Sequence, residues 1–224
     1  MEEESAVGVA IKGAIIQSLV VMLAFTLSGC IVASNFYTAR TLRPGKIDLG
    51  FGADDISLKS TDKSLVIDKP PFIPSVALAY GLPLRLEIGA RYWPGILEGT
   101  LRDQINPMAF TLFDFGVNFS YAEYFGHYSY IRYGASLSKD ISGFEPFVNY
   151  TFYHFGANAG TSLSDGIFNG QFTDFIDNNH VLGFGIAIPV QTAKLYPELD
   201  YQSFGSGGGI GLWSFGIGLR APLN

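Results

Sequence analysis

The sequence predicts an all-β fold: an antiparallel transmembrane β-barrel of about ten strands (eight to ten). Three observations lead there. Apolar residues recur with period two over most of the chain, the mark of strands with two unlike faces. The alternating segments run close to the ~9–11 residues that a tilted strand needs to cross a membrane, against ~5–6 for an ordinary soluble strand. The linkers alternate between short and long, as in barrels with short turns on one side of a membrane and longer loops on the other.

The elements follow in order. Segment 45–53 sets Ile47, Leu49 and Phe51 against Lys46 and Asp48; segment 74–81 carries Val76, Leu78 and Tyr80 on one face. Segment 84–93 is the clearest case: Leu84, Leu86, Ile88, Ala90 and Tyr92 share one face, and Arg85, Glu87, Gly89, Arg91 and Trp93 the other. Segment 96–106 brings Glu98 and Arg102, and 110–121 alternates Phe113, Phe115, Val117 and Phe119 with Asp114, Gly116, Asn118 and Ser120. Segments 128–138, 144–155, 180–189, 193–204 and 211–221 repeat the pattern through Ile131, Val148, Tyr150, Phe152, Phe184, Ile186, Leu199, Tyr201, Phe215 and Ile217. Short linkers lie around Leu82–Pro83, Pro107–Met108, Lys139–Gly143 and Gln191–Thr192. The long ones run from Asp54 to Ile73 and from Gly156 to Asn179, with a smaller one from Gly205 to Ile210.

Composition narrows the class further. The 224 residues are 48% hydrophobic and only 15% charged, with net charge −6. An average globular domain is ~25% charged, so an ordinary cytosolic enzyme is a poor fit. One Cys excludes an internal disulfide framework and a Cys-based zinc site. The mild acidity gives nucleic acid no reason to bind. Such apolar content also argues against disorder.

Residues 13–29 form an uncharged apolar run after Lys12, and Leu27-Ser28-Gly29-Cys30 follows. A short apolar core ending in small residues reads as a secretory signal peptide, or as a retained anchor helix if it is not cut. The tetrad resembles the lipobox of bacterial lipoproteins, and the protein's one Cys occupies its Cys position. The resemblance implies cleavage before Cys30 and acylation at Cys30, with palmitate among the chains. It divides the chain into a signal peptide (1–29), a lipidated N-terminal segment (30–44) and the barrel (45–224). Ser214-Phe215-Gly216-Ile217-Gly218-Leu219-Arg220-Ala221 resembles the C-terminal insertion signal of bacterial outer-membrane barrel proteins. That resemblance implies outer-membrane lipids and the barrel-assembly machinery as partners. With the N-terminus on the periplasmic side, it puts the long loops outside the cell and both termini in the periplasm.

The two faces carry different chemistry. The apolar set is expected to meet lipid, with its aromatics supplying interfacial girdles. The charged set is expected in the lumen: Lys46, Asp48, Arg85, Glu87, Arg91, Glu98, Arg102, Asp114, Arg132, Glu145, Lys194, Glu198, Asp200 and Arg220. Unpaired charges in so narrow a lumen would be costly. These charges should therefore pair and close it, leaving binding to the outer loops. The function expected is a non-enzymatic structural or surface-binding barrel. A small hydrophilic channel is the first alternative.

An interfacial lipid-modifying enzyme is the second. His127-Tyr128-Ser129 resembles the His-x-Ser arrangement of outer-membrane lipid A deacylases, which implies His127 as base and Ser129 as nucleophile. A turn near Asp140–Ile141 would bring His127 opposite His154. His127, His154 and His180 all fall at the rim, where aromatic interface residues are the plain alternative. The loop acids Asp165, Asp174 and Asp177 lack calcium-loop spacing. Ser206-Gly207-Gly208-Gly209 lacks the strand–helix context of a phosphate loop. No cofactor motif is present in the sequence.

Overall fold

The computed structural model of the chain describes residues 34–55, 73–93, 95–105, 112–124, 128–157, 178–204 and 210–223. Ten antiparallel strands follow one another: β1 (Ile47–Asp55), β2 (Ile73–Gly81), β3 (Leu86–Trp93), β4 (Ile96–Gln104), β5 (Asp114–Tyr124), β6 (Tyr128–Ser138), β7 (Glu145–Ala157), β8 (Asn178–Val190), β9 (Ala193–Phe204) and β10 (Ile210–Leu223). Each pairs with its sequence neighbours, and β1 pairs with β10, so the sheet closes on itself. Closure matters physically because it removes the unpaired edge that a membrane could not tolerate.

The barrel has two unlike ends. Its two long connections, 56–72 and 158–177, leave from the same end, above β1/β2 and β7/β8. The opposite end carries the turn at 82–85, the connection 105–113, the turn 139–144 and the turn at Gln191–Thr192. The faces divide as the alternation requires. Phe51, Leu78, Ile88, Leu97, Phe119, Tyr133, Phe184 and Phe215 are exposed around the outer wall. Glu87, Glu98, Arg132, Glu145, Glu198 and Asp200 are buried inside.

Four local expectations change. Arg85 does not enter the lumen: Leu84 and Arg85 both take left-handed backbone angles (φ 62° and 64°) in a short 3-10 turn, Pro83–Arg85, so alternation starts only at Leu86 and Arg85 is exposed. Lys46 likewise lies just before β1, exposed, where its N–H bonds the Arg43 carbonyl. The β6–β7 hairpin turns at Ser142–Gly143 rather than Asp140–Ile141. Both residues have positive φ (56° and 93°), and Ile141 and Phe144 close a two-residue loop of the kind that matches strand twist. The register then sets His154 against Ile131, not His127. Strand β5 also starts later than its alternation suggests, at Asp114. Cys30, His127, Asp165, Asp174 and Asp177 lie outside the described residues.

A closed barrel of this kind should resist dodecyl sulfate until boiled. The expected result is an electrophoretic mobility that differs between unboiled and boiled samples. Identical mobilities would contradict a closed membrane barrel.

Candidate functional site

Among the described residues, buried polar chemistry gathers in the lumen, and the lumen is occupied. Residues 34–43 run through it as a strap, extended except at Phe36, whose φ of 54° is left-handed. Ser34, Asn35, Phe36, Tyr37, Thr38 and Ala39 are all buried. An extended strand away from a sheet has no partner for its N–H and C=O groups, and leaving them bare inside a protein is expensive. Here the wall's side chains take the place of neighbouring strands.

The amides come first. Asn35 and Phe36 both donate to Glu198 Oε2, at 2.9 and 2.7 Å. Ala39 N–H reaches Ser138 Oγ at 3.2 Å, Thr41 N–H reaches Gln104 Oε1 at 3.3 Å, and Leu42 N–H reaches Glu87 Oε2 at 2.9 Å. The carbonyls find cations and amides. Arg91 Nη1 donates to Ser34 O at 2.8 Å, and Asn149 Nδ2 to Tyr37 O at 3.2 Å. Arg102 Nη2 serves Thr38 O and Arg40 O together.

Side chains of the strap are gripped as well. Ser34 Oγ donates to Asp200 Oδ2 at 2.7 Å, and Asn35 Oδ1 accepts from Arg132 Nη1 at 2.8 Å. The Arg102 guanidinium lies 4.2 Å from the centre of the Tyr37 ring, a cation–π contact. Phe36 lies over a trough of glycines. A Cβ on Gly52, Gly216 or Gly218 would run into its side chain. At the short-turn end Arg40 closes the gap, bonding Asp114 at 2.6 Å and Asp140 at 2.9 Å. The Gly143 N–H, assisted by Arg40, holds the exposed Asp140 carboxyl below its usual range.

Charged side chains of the wall pair with one another around this strap. Arg91 and Glu98 are directly opposed on β3 and β4, as are Glu87 and Arg102. Arg91 bonds Glu98 through Nε at 3.1 Å and Nη2 at 3.0 Å. Glu98 also takes Arg132 at 2.6 Å. Glu87 takes Arg102 at 2.6 Å and Arg220 at 3.5 Å, and Arg220 lies 3.6 Å from Asp48. Glu145 takes Lys194 at 3.0 Å. Glu198 and Asp200 differ from the rest: Glu198 accepts from the strap's amides and from Asn149, and Asp200 from the Ser34 hydroxyl. Trp93, Tyr130 and Tyr153 fill the lumen beside Arg91 and Arg132, with Arg91 4.1 Å from the Trp93 ring centre.

The strap was not legible as a plug. Its residues carry no charge alternation and sit before the first strand. The signal lies in the wall: at Gly52, Gly81, Gly116, Gly216 and Gly218, on the lumen faces of β1, β2, β5 and β10, an added Cβ would run into the strap. Rows of missing side chains leave space for another backbone. Among the rim histidines, His180 Nδ1 lies 2.7 Å from the Tyr150 hydroxyl on the outer wall, beside Phe152. Among the described residues no group of three or more His, Cys, Asp or Glu is placed to hold a metal.

No family model and no curated protein matches the chain. Solved structures do overlap it at low identity. A NanC porin structure covers 79% of this chain and all of its own, with 12% identity and TM-score 0.46. An outer membrane channel from Pseudomonas putida F1 covers 86% and all of its own, at 9% and 0.42. The N-terminal β-barrel domain of Pseudomonas aeruginosa OprF covers 81% and all of its own, at 14% and 0.38.

Two substitutions test the lumen. Glu98→Gln leaves Arg91 and Arg132 without their shared carboxylate, and breaking a buried pair from one side costs about 3–5 kcal/mol. Phe36→Ala empties the glycine trough at a cost of about 3–5 kcal/mol. Denaturant unfolding in detergent should show both losses. An unchanged midpoint for Glu98→Gln would mean the network carries no net stability.

Proposed function

We propose that this chain is a non-enzymatic bacterial outer-membrane barrel lipoprotein, anchored through Cys30, whose sealed wall presents the long connections outside the cell as a surface-binding or structural element. The observation that carries this reading is the occupied lumen. A barrel filled by its own strap and by paired charges has no aqueous path of porin width, which takes ~16–18 strands. Its outer wall supports the membrane assignment. Phe51, Leu78, Leu97, Phe119, Tyr133 and Phe215 are 42–59% exposed on a continuous belt, far more apolar surface than a water-soluble monomer shows. Outer-membrane lipids and the barrel-assembly machinery are the partners this implies. The 56–72 and 158–177 connections are where a ligand would be met, since loops on a rigid scaffold carry recognition.

A small channel remains the second reading, and one observation favours it. A cavity of about 70 Å³ lies between the strap and the wall, lined by Gly50, Gly52, Ser75, Ala77, Gly89 and Arg91 among others. It has room for a few waters. Planar bilayers separate the two readings. The full chain should give no stepwise conductance. Steps that change size with Arg91→Ala or Glu87→Ala would establish the channel instead. Labelled palmitate should enter the protein and be lost in Cys30→Ala; label retained in that variant would sink the anchor.

A further inference from the structure

The strap has a direction, and every contact along it agrees. On β9, Ser34 meets Asp200 while Asn35 and Phe36 meet Glu198. On β7, Asn35 meets Thr151, Tyr37 meets Asn149, and Arg40 comes within 3.8 Å of Glu145. On β4, Thr38 meets Arg102 and Thr41 meets Gln104. Each series steps from the long-connection end towards the short-turn end as strap numbering rises. Ser34 lies beside Asp54 over Gly216, near the top of β1, whereas Leu42 and Arg43 lie against Gly81 at its foot. The strap's first described residue, Ser34, therefore sits towards the long-connection end and Arg43 at the short-turn end.

Reach fixes the consequence. Cys30 is four residues before Ser34, at most about 14 Å of extended chain. From the level of Asp54 to that of Ile47 is seven residues of strand, about 23 Å along β1 and about 18 Å along the barrel axis at ~40° tilt. Four residues cannot return to the short-turn end. The long-connection rim is nearer, four residues beyond Asp200 on β9.

We infer that the barrel threads its own N-terminal segment outward, so that the chain before Ser34 is delivered to the face bearing the long connections, opposite the C-terminus. Resting on the lipoprotein reading and on the orientation proposed above, with short turns in the periplasm and long connections outside, this places the acyl chains of Cys30 in the outer leaflet, at the cell surface. It replaces the expectation that both termini lie in the periplasm. The leaflet facing the periplasm is out of reach. The anchor and the recognition loops then share one face.

The test uses the full chain in its own outer membrane, with one epitope in each of three positions: between Val32 and Ala33, within 158–177, or after Asn224. On intact cells, antibody should label the first two to the same extent and the third only after permeabilisation. An N-terminal epitope that appears only with the C-terminal one overturns the threading. If the C-terminal epitope is exposed while the other two are hidden together, the threading stands and the proposed orientation fails. A second measurement guards against a displaced strap. Gly218 would place a Cβ 2.7 Å from that of Phe36, close enough that a small shift gives disulfide geometry. Phe36→Cys combined with Gly218→Cys in the epitope-bearing chain should cross-link under oxidation. A folded barrel that fails to cross-link overturns the inference.

Discussion

Everything inside this barrel answers to one constraint: an extended backbone runs through the lumen, and its N–H and C=O groups must be satisfied without a sheet. Ten strands enclose more space than their own side chains fill, since eight already make a lumen that side chains just close. A single extended chain is about the right filler. It brings a row of donors and acceptors with it, and side chains of the wall answer many of them. Glu198 takes two amides, Glu87 takes one, and Arg102 takes two carbonyls. The strap is thus paired like a strand, but with side chains standing in for a neighbouring backbone.

That constraint explains why the lumen charges do not simply neutralise one another. Glu98 is held by two arginines and needs nothing from the strap. Glu87 divides its oxygens, one towards Arg102 and one towards the Leu42 amide. Glu198 and Asp200 turn to the strap's amides and the Ser34 hydroxyl. Cations are likewise shared, because Arg91 reaches Glu98 with one side of its guanidinium and Ser34 O with the other. Buried ion pairs often contribute little net stability against apolar packing. Their value here is positional: each pair presents a spare donor or acceptor at a fixed height along the lumen.

Much of this was legible in the chain. Period-two alternation located all ten strands, and the outward apolar set is the exposed belt of the outer wall. Opposite charges on adjoining strands, Arg91 with Glu98 and Glu87 with Arg102, follow from a tight turn between β3 and β4, which alternation alone places. The misreadings come from left-handed backbone. Leu84 and Arg85 look like the start of a strand because their side chains alternate, yet their φ angles make a turn. Ser142–Gly143 shifts the β6–β7 register in the same way. The strap itself was hidden because its sequence, Ser-Asn-Phe-Tyr-Thr-Ala-Arg, shows no pattern of its own. Its fit is written in the wall, in glycines whose absent side chains are informative only once the faces have been sorted.

Phe36 shows how far that fit extends. Its side chain covers Gly52 of β1 and Gly216 and Gly218 of β10, which are the first and last strands of the sheet and the pair whose joining closes it. Gly52 and Gly218 are themselves register partners across that seam. A larger residue on either strand would displace the ring, and a ring without the trough would have no place in the lumen. Strap and seam therefore complete one another. Contacts from Ser34 to Asp200 and from Phe36 to Glu198 span most of the chain and cannot form before β9 is in place. Closing such distant contacts is slow compared with forming neighbouring hairpins, because loop entropy must be overcome first. Seating the strap and closing the barrel are then two descriptions of the same late step, and the sealed lumen is its product.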